Sequence, residues 1–223
     1  MCKKFTLALI AIACTISSIA QSFEGKMTAK IIPLKVPAEM EGMKAMFNQD
    51  ITTYVKGAKS KAEIKSAMGT QTIIFDSIAK EVTILTDMMG QKFAMTQKVE
   101  SSAEANSSGF DLSNAKVEKT SETKKIAGYN CKKAIATITD EETKENMKVE
   151  FWYTEEIDAA MTGLPFKGTM MEYVMNIEGM ELQFTITGIN KESVSSSVFN
   201  IPDGYQVMTP EQMQGMMPTM GNE

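Results

Sequence analysis

The feature that most constrains this chain is an apolar–polar alternation of period two, interrupted by turn residues at intervals of about ten positions. It begins with Phe23, Gly25, Met27, Ala29 and Ile31 on one side and Glu24, Lys26, Thr28 and Lys30 on the other. Successive strand side chains point to opposite faces of a sheet, so this segment reads as an antiparallel strand with one face on a core. Further strands are expected at 51–56, 62–68, 71–76, 82–86 and 91–96, separated by Lys56-Gly57, Met68-Gly69, Asp76-Ser77 and Met89-Gly90. Near the C-terminus Met171, Tyr173, Met175 and Ile177 alternate, Glu178-Gly179 turns, and Leu182, Phe184 and Ile186 alternate back. Short strands so regularly spaced predict an antiparallel all-β sheet or barrel, not a parallel βαβ layout.

The middle of the chain extends this sheet. Residues 100–115 are small and polar and read as a loop within one domain, with Phe110 and Leu112 to tuck it down. Val117–Ile126 is mostly charged, as an edge strand is. Gly128 then turns the chain into a strand at Cys131–Thr139, so Lys124–Thr139 reads as the link that carries the sheet from one half to the other. After a polar loop at 140–146, Met147, Val149, Phe151 and Tyr153 alternate with Lys148, Glu150 and Trp152, which leaves the lone Trp on the more polar face. Val194, Val198, Phe199 and Ile201 close the core before Pro202-Asp203-Gly204.

Helical signals are few. Pro33 and Pro37 are expected to stop the first strand, and Pro37 then precedes Met40, Met43, Met46 and Phe47 at helical spacing. Thr154–Met161 reads as a short helix with Glu155 and Glu156 near its positive end. Thr209-Pro210-Glu211-Gln212 has capping-box spacing, and Met213, Met216, Met217 and Met220 would share one face of the helix it starts. Gly215 and Pro218 keep that helix short.

At the N-terminus, Lys3 and Lys4 precede an apolar run from Phe5 to Ile16 and small residues at Ser18 and Ala20, the layout of an export signal. The run is too short to span a bilayer. An alternative is a lipoprotein signal with Cys14 as the acylated residue. The expected organisation is a signal peptide at 1–20, one β-rich domain at 21–205 and a Met-rich tail at 206–223. The mature chain is expected in the periplasm or outside the cell, with no transmembrane segment.

Absences bound the chemistry. The chain has no His, the commonest general base and metal ligand, and no Arg to clamp carboxylates or phosphates. A net charge of −5 and no arginine make the chain a poor candidate for nucleic acid or anionic membrane surfaces, where basic patches supply the affinity, and no nucleic-acid partner is expected. Cys2 and Cys14 leave with the signal, so Cys131 has no disulfide partner. Cys131 as a nucleophile or redox thiol would lack both an activating base and a resolving cysteine, and a packed strand residue is the better reading. Glu141-Glu142 and Glu155-Glu156 read as solvated pairs, and Asp140 to Glu142 lacks the ligand spacing of a calcium loop. No catalytic set, cofactor or structural metal is predicted. The 20 methionines are the compositional oddity. Thioethers bind Cu(I), so Met213, Met216, Met217 and Met220 are a candidate soft-metal site; methionine enrichment along the whole chain favours an adaptable apolar surface instead.

Taken together, the N-terminal signal, FEGKMTAKI at 23–31, TSETKKIAGYNCKKA at 120–134, VEFWYTEEI at 149–157 and VFNIPDGY at 198–205 resemble a known family. It is that of uncharacterised secreted Bacteroidetes proteins grouped as a domain of unknown function, similar in layout to the lipoprotein-carrier LolA and LppX group. The resemblance implies a mainly β (α+β) fold: one strongly curved antiparallel sheet, a half-barrel, with two or three short helices against its concave side. In the carriers that side encloses an apolar cavity for acyl chains; this chain departs from them in lacking arginine. The expected function is an exported, non-enzymatic binding protein for a lipid or other apolar ligand. Met27, Phe75, Phe93, Met95, Phe151, Tyr173, Met175 and Phe184 would face the cavity or core. Met40, Met43, Met46, Phe47, Met213, Met216 and Met217 would belong to lids. The alternative is a structural or partner-binding envelope protein whose sheet is packed solid.

Overall fold

A computed structural model describes residues 23–99, 112, 115–139, 146–158, 164–177, 179–209 and 212. The alternating segments become twelve strands: β1 (Gly25–Lys35), β2 (Gln49–Lys56), β3 (Lys59–Ser66), β4 (Gly69–Asp76), β5 (Glu81–Met88), β6 (Gln91–Lys98), β7 (Lys116–Ile126), β8 (Tyr129–Thr139), β9 (Asn146–Thr154), β10 (Thr169–Ile177), β11 (Met180–Lys191) and β12 (Gln206–Met208). They form one sheet in the order β12-β6-β5-β4-β3-β2-β1-β11-β10-β9-β8-β7. All neighbours are antiparallel except β12, which runs parallel to β6. The protein is thus mainly β, with one large open sheet.

Two meanders, β1–β6 and β7–β11, meet where β1 pairs with β11 from Gly25↔Lys191 to Lys35↔Glu181. This corrects the reading of Lys124–Thr139 as the link between halves. β7 is the outermost strand of the second meander and β8 its neighbour, so that segment lies at a sheet edge. The charge of β7 does match its edge position, and a register shift between Lys119 and Thr123 further interrupts the edge.

Three local expectations also differ. Pro33 does not stop β1; it pairs with Leu182 at a register shift, beyond the Ile31↔Gln49 pair where β2 contacts end, so its missing N–H costs no ladder bond on that side. The segment after Pro37 is a 3₁₀ helix, Ala38–Phe47, with no buried residue, not an amphipathic α-helix. A 3₁₀ turn holds three residues, so Met40, Met43 and Met46 align along one edge without needing a core to face. After β9 the chain does not continue as a helix through Asp158, because Glu155, Glu156 and Ile157 each turn to a different partner. Helical structure among the described residues comprises Ala38–Phe47, Ser196–Phe199 and the helical residue Gln212.

Cross-strand register assigns the core. Ile31, Phe184, Tyr173, Phe151 and Ala134 are successive partners across β1, β11, β10, β9 and β8, and so share one face. Phe151, Tyr153 and Ala134 are fully buried there, and Leu112, also fully buried, packs onto them with Leu164 and Phe166. Burying an aromatic of this size contributes roughly 1.5–3 kcal/mol. On β4–β6, Ile74, Leu85 and Ala94 occupy the opposite face and are covered by Val194, Val198 and Phe199. That cover is pinned: Val194 N–H donates to the Glu24 carboxylate at 2.9 Å, and Lys56 bonds the Val194 carbonyl and pairs with Glu24 at 3.4 Å.

Two glycines give a direct check on this geometry. Gly69 has φ +142, and a Cβ there would lie 2.4 Å from the Asp87 carbonyl oxygen, whereas Gly128 has φ +87 and open space around it. Gly128→Ala is expected to cost about 1 kcal/mol from backbone conformation alone, and Gly69→Ala about 3 kcal/mol because a backbone contact adds to it. Urea unfolding of both variants measures the difference; equal losses would contradict the β4–β5 register.

Candidate functional site

The eight predicted apolar residues come from six strands, yet the ladders put them all on one face. Met95 pairs with Ile84, Ile84 with Ile73, Ile73 with Ala62, Ala62 with Thr53 and Thr53 with Met27. Phe93 reaches Ala29 through Thr86, Gln71, Ile64 and Ile51, and Phe75 reaches Gly25 through Ser60 and Val55. On the other half, Met175 pairs with Leu182 and Tyr173 with Phe184, whose rings stack at 4.8 Å.

Burial divides this face in two. Met27, Phe151, Tyr173 and Met175 are buried, and burial pushes the Tyr173 phenol up to about 12. They belong to the packed core under Leu112 and Phe166 and to the β1–β2 cluster. Phe75, Phe93 and Met95 on the first meander are only half-buried, as is Phe184 on β11, though Phe184 packs against the core. Ile73 and Ile84 lie between them, half-buried on the same face, with Val82 and Val99 packed alongside. Sequence reading passed over Ile73 and Ile84, although the Ile73–Phe75 and Val82–Ile84 alternations carry the signal.

The lid candidates are not brought to this face. Met43 and Met46 are exposed on the 3₁₀ segment, Met40 and Phe47 half-exposed. Met213, Met216, Met217 and Met220 lie outside the described residues, as do Phe110, residues 1–20 and Asp140–Glu142. The cap predicted before the tail is formed: Gln212 N–H donates to the Thr209 hydroxyl at 3.3 Å, and Thr209 N–H to the Gln212 side-chain oxygen at 2.9 Å.

Elsewhere the polar groups are structural. An open groove of about 500 Å³ is lined by Phe23, Glu24, Glu156, Ile157, Asp158, Lys191, Glu192 and Ser193, and includes none of the eight. No cluster of three metal-ligating side chains is present among the described residues. Glu156 accepts from the backbone and side-chain amides of Asn130, and Ile157 packs with Phe23, Met27 and Val55. Glu155 accepts from Lys132 at 2.8 Å and Lys119 at 2.9 Å. These bonds, Lys132 first, pull the Glu155 carboxyl down from 4.5 to about 2. Cys131 is fully buried with Met171, Ile126 and Ile186, and desolvation raises its thiol pKa. A thiol so placed is a poor nucleophile, as its setting on the strand predicted. Lys124 spans Glu172 at 2.5 Å and the Trp152 ring at 4.3 Å, so the half-buried Trp covers an ion pair.

An open antiparallel sheet with a partly uncovered apolar face is the class that the fold and site define. Residues 23–163 match the family described as Domain of unknown function (DUF4412), more than half of the chain, and the protein belongs to that family. No curated protein matches it in sequence. Among solved structures it is similar to the Mycobacterium tuberculosis lipoprotein LppX, at 11% identity and a TM-score of 0.43, over 77% of this chain and 89% of that one.

The Glu155 pairs predict a pH effect. A carboxyl whose folded pKa lies below its unfolded value stabilises the fold above about 4.5 and loses that contribution as pH falls toward 2. Glu155→Gln should therefore lower Tm slightly at pH 6 and have no effect at pH 2, the modest size reflecting exposed partners. Thermal melts across that range check it; a constant Tm difference would contradict the pairing.

Proposed function

We propose that this is an exported, non-enzymatic protein that binds a lipid or other apolar ligand on the face of the first meander. The observation that carries the reading is the half-buried band of Phe75, Phe93, Met95, Ile73 and Ile84, on the same face as a core that is sealed elsewhere. Leaving that much aromatic and aliphatic surface half-wet is unfavourable by about 25 cal/mol for each Å² that a ligand would cover. Methionine and aromatics grip variable acyl chains well, because thioethers adapt to shape.

Sheet curvature supports the same reading. Tyr129 on β8 packs against a cluster that joins Ile157, just after β9, to Phe23, Met27 and Val55 at β1 and β2, across strands that a flat sheet would hold well apart. Twist accumulating at about 20–25° per strand pair curls such a sheet. Curling of that kind, carried on into β4–β6, would set the band on a concave side, as the expected half-barrel requires. Export rests on the N-terminal signal, and the absence of His and the burial of Cys131 favour binding over catalysis. No helix among the described residues is long and apolar enough to cross a membrane.

The second reading, a partner-binding envelope protein, is favoured by the solid packing of Phe151, Tyr153 and Leu112. Native mass spectrometry of protein purified from its own cells separates the two. A co-purifying lipid mass is expected, and Phe75→Ser with Phe93→Ser should lower its occupancy tenfold or more, as losing two aromatic contacts to the ligand predicts. A clean apo mass together with a stable protein complex would favour the second reading and overturn the first.

A further inference from the structure

One end of the sheet gathers most of its exposed apolar side chains. The register runs through Ile31↔Gln49, Asp50↔Lys65, Ser66↔Gly69, Thr70↔Asp87 and Met88↔Gln91. The end of β1, the β3–β4 turn and the β5–β6 turn therefore lie side by side, spanning about 24 Å over five strand spacings. Of eleven exposed large apolar side chains among the described residues, seven are here, so the clustering is not a scatter over the surface. Met68, Met88 and Met89 occupy the two hairpin tips. Ile32 and Leu34 end β1, and Met43 and Met46 come next on the 3₁₀ segment.

Met89 is the sharpest of these. It is 99% exposed and sits at φ +53, followed by Gly90 at φ +81. A two-residue turn with both φ positive favours Asn-Gly or Asp-Gly, and a long apolar residue there carries backbone strain with nothing to pack against. Neither hairpin stability nor solubility explains that choice.

We propose that this rim docks on a lipid bilayer surface. The charge around it does not select a partner: Lys30 pairs with Asp50, Lys35 with Glu181, Lys44 with Glu41 and Lys92 with Asp87, all within 4 Å. A protein partner needs roughly 800 Å² of complementary surface on each side. Separate protruding tips, about 10 Å apart at the two hairpins, suit instead the fluid headgroup–acyl boundary, which accommodates each protrusion without matching a shape. Docking is driven by apolar insertion and is insensitive to anionic lipid and to salt. It is independent of whether a ligand sits on the sheet face.

The test is flotation of the exported protein, recovered after removal of its signal, with phosphatidylcholine vesicles, in low salt and in about 0.5 M salt, where charge attraction is screened. The wild type is expected to float in both. Combining M43S, M46S, M68S and M89S should reduce the floating fraction at least tenfold. I78S, which alters an 84% exposed side chain on the opposite end, should leave it unchanged. If the combined variant melts earlier than wild type, M89S alone carries the comparison. A wild type that stays in the aqueous fraction, a combined variant that floats normally, an equal loss with I78S, or release by salt would each overturn the proposal. Lipid co-purification does not decide this test, and a failure here leaves the ligand reading standing.

Discussion

The pairing of β1 with β11 is the interaction on which the rest depends. It brings together parts of the chain so distant that Thr28 and Thr187, hydrogen-bonded at 3.0 Å, stand 159 residues apart. Every other antiparallel pair joins consecutive strands. The two meanders form from local contacts, while the seam requires closing the longest loop in the fold before its contacts contribute. It is reinforced on both sides: Gly25 lies so close to Asn190 that a Cβ would meet its carbonyl, and Glu24 holds the chain just beyond β11. Without the seam there would be two marginal sheets, each with an unpaired edge.

Joining them yields a single face with two different fates. On the second meander the face is filled by large aromatics and closed by Leu112, Leu164 and Phe166. On β4–β6, Ile73, Phe75, Ile84, Phe93 and Met95 are as apolar but remain half-buried, while the opposite face of the same strands is covered by Val194 to Phe199. The first meander therefore has one finished core and one surface unlike ordinary solvent-facing sheet. On the second meander, Cys131 is sealed in the core and Glu155 is held by two lysines.

The strands and their facing were legible because period two is set by backbone geometry and needs no tertiary partner. Hence the side of its own strand on which each of Met27, Phe75, Phe93 and Phe184 lies was readable from alternation, while their common face rests on the ladder register. Strand order was not legible. Nothing local in Lys124–Thr139 distinguishes an edge hairpin from a central link, and the seam partner of β1 lies at the far end of the chain. Helix expectations failed for related reasons. Met40, Met43 and Met46 satisfy a three-residue period as well as a 3.6-residue one, and Glu155 and Glu156 mimic a helix start while serving as ion-pair and turn partners. Burial was the remaining gap. Alternation identifies a face without saying what covers it, so Met175 and Met95 look alike in sequence and differ in the fold.

That difference is where the account is most exposed to measurement. Methyl NMR of Met- and Ile-labelled protein, titrated with a long-chain fatty acid, reads both halves of the face in one experiment. Intermolecular contacts to the acyl chain are predicted at the Met95, Ile73 and Ile84 methyls and not at Met175 or Met170. Contacts at Met175 and Met170 with none at Met95, or no contact anywhere on the face, would contradict it.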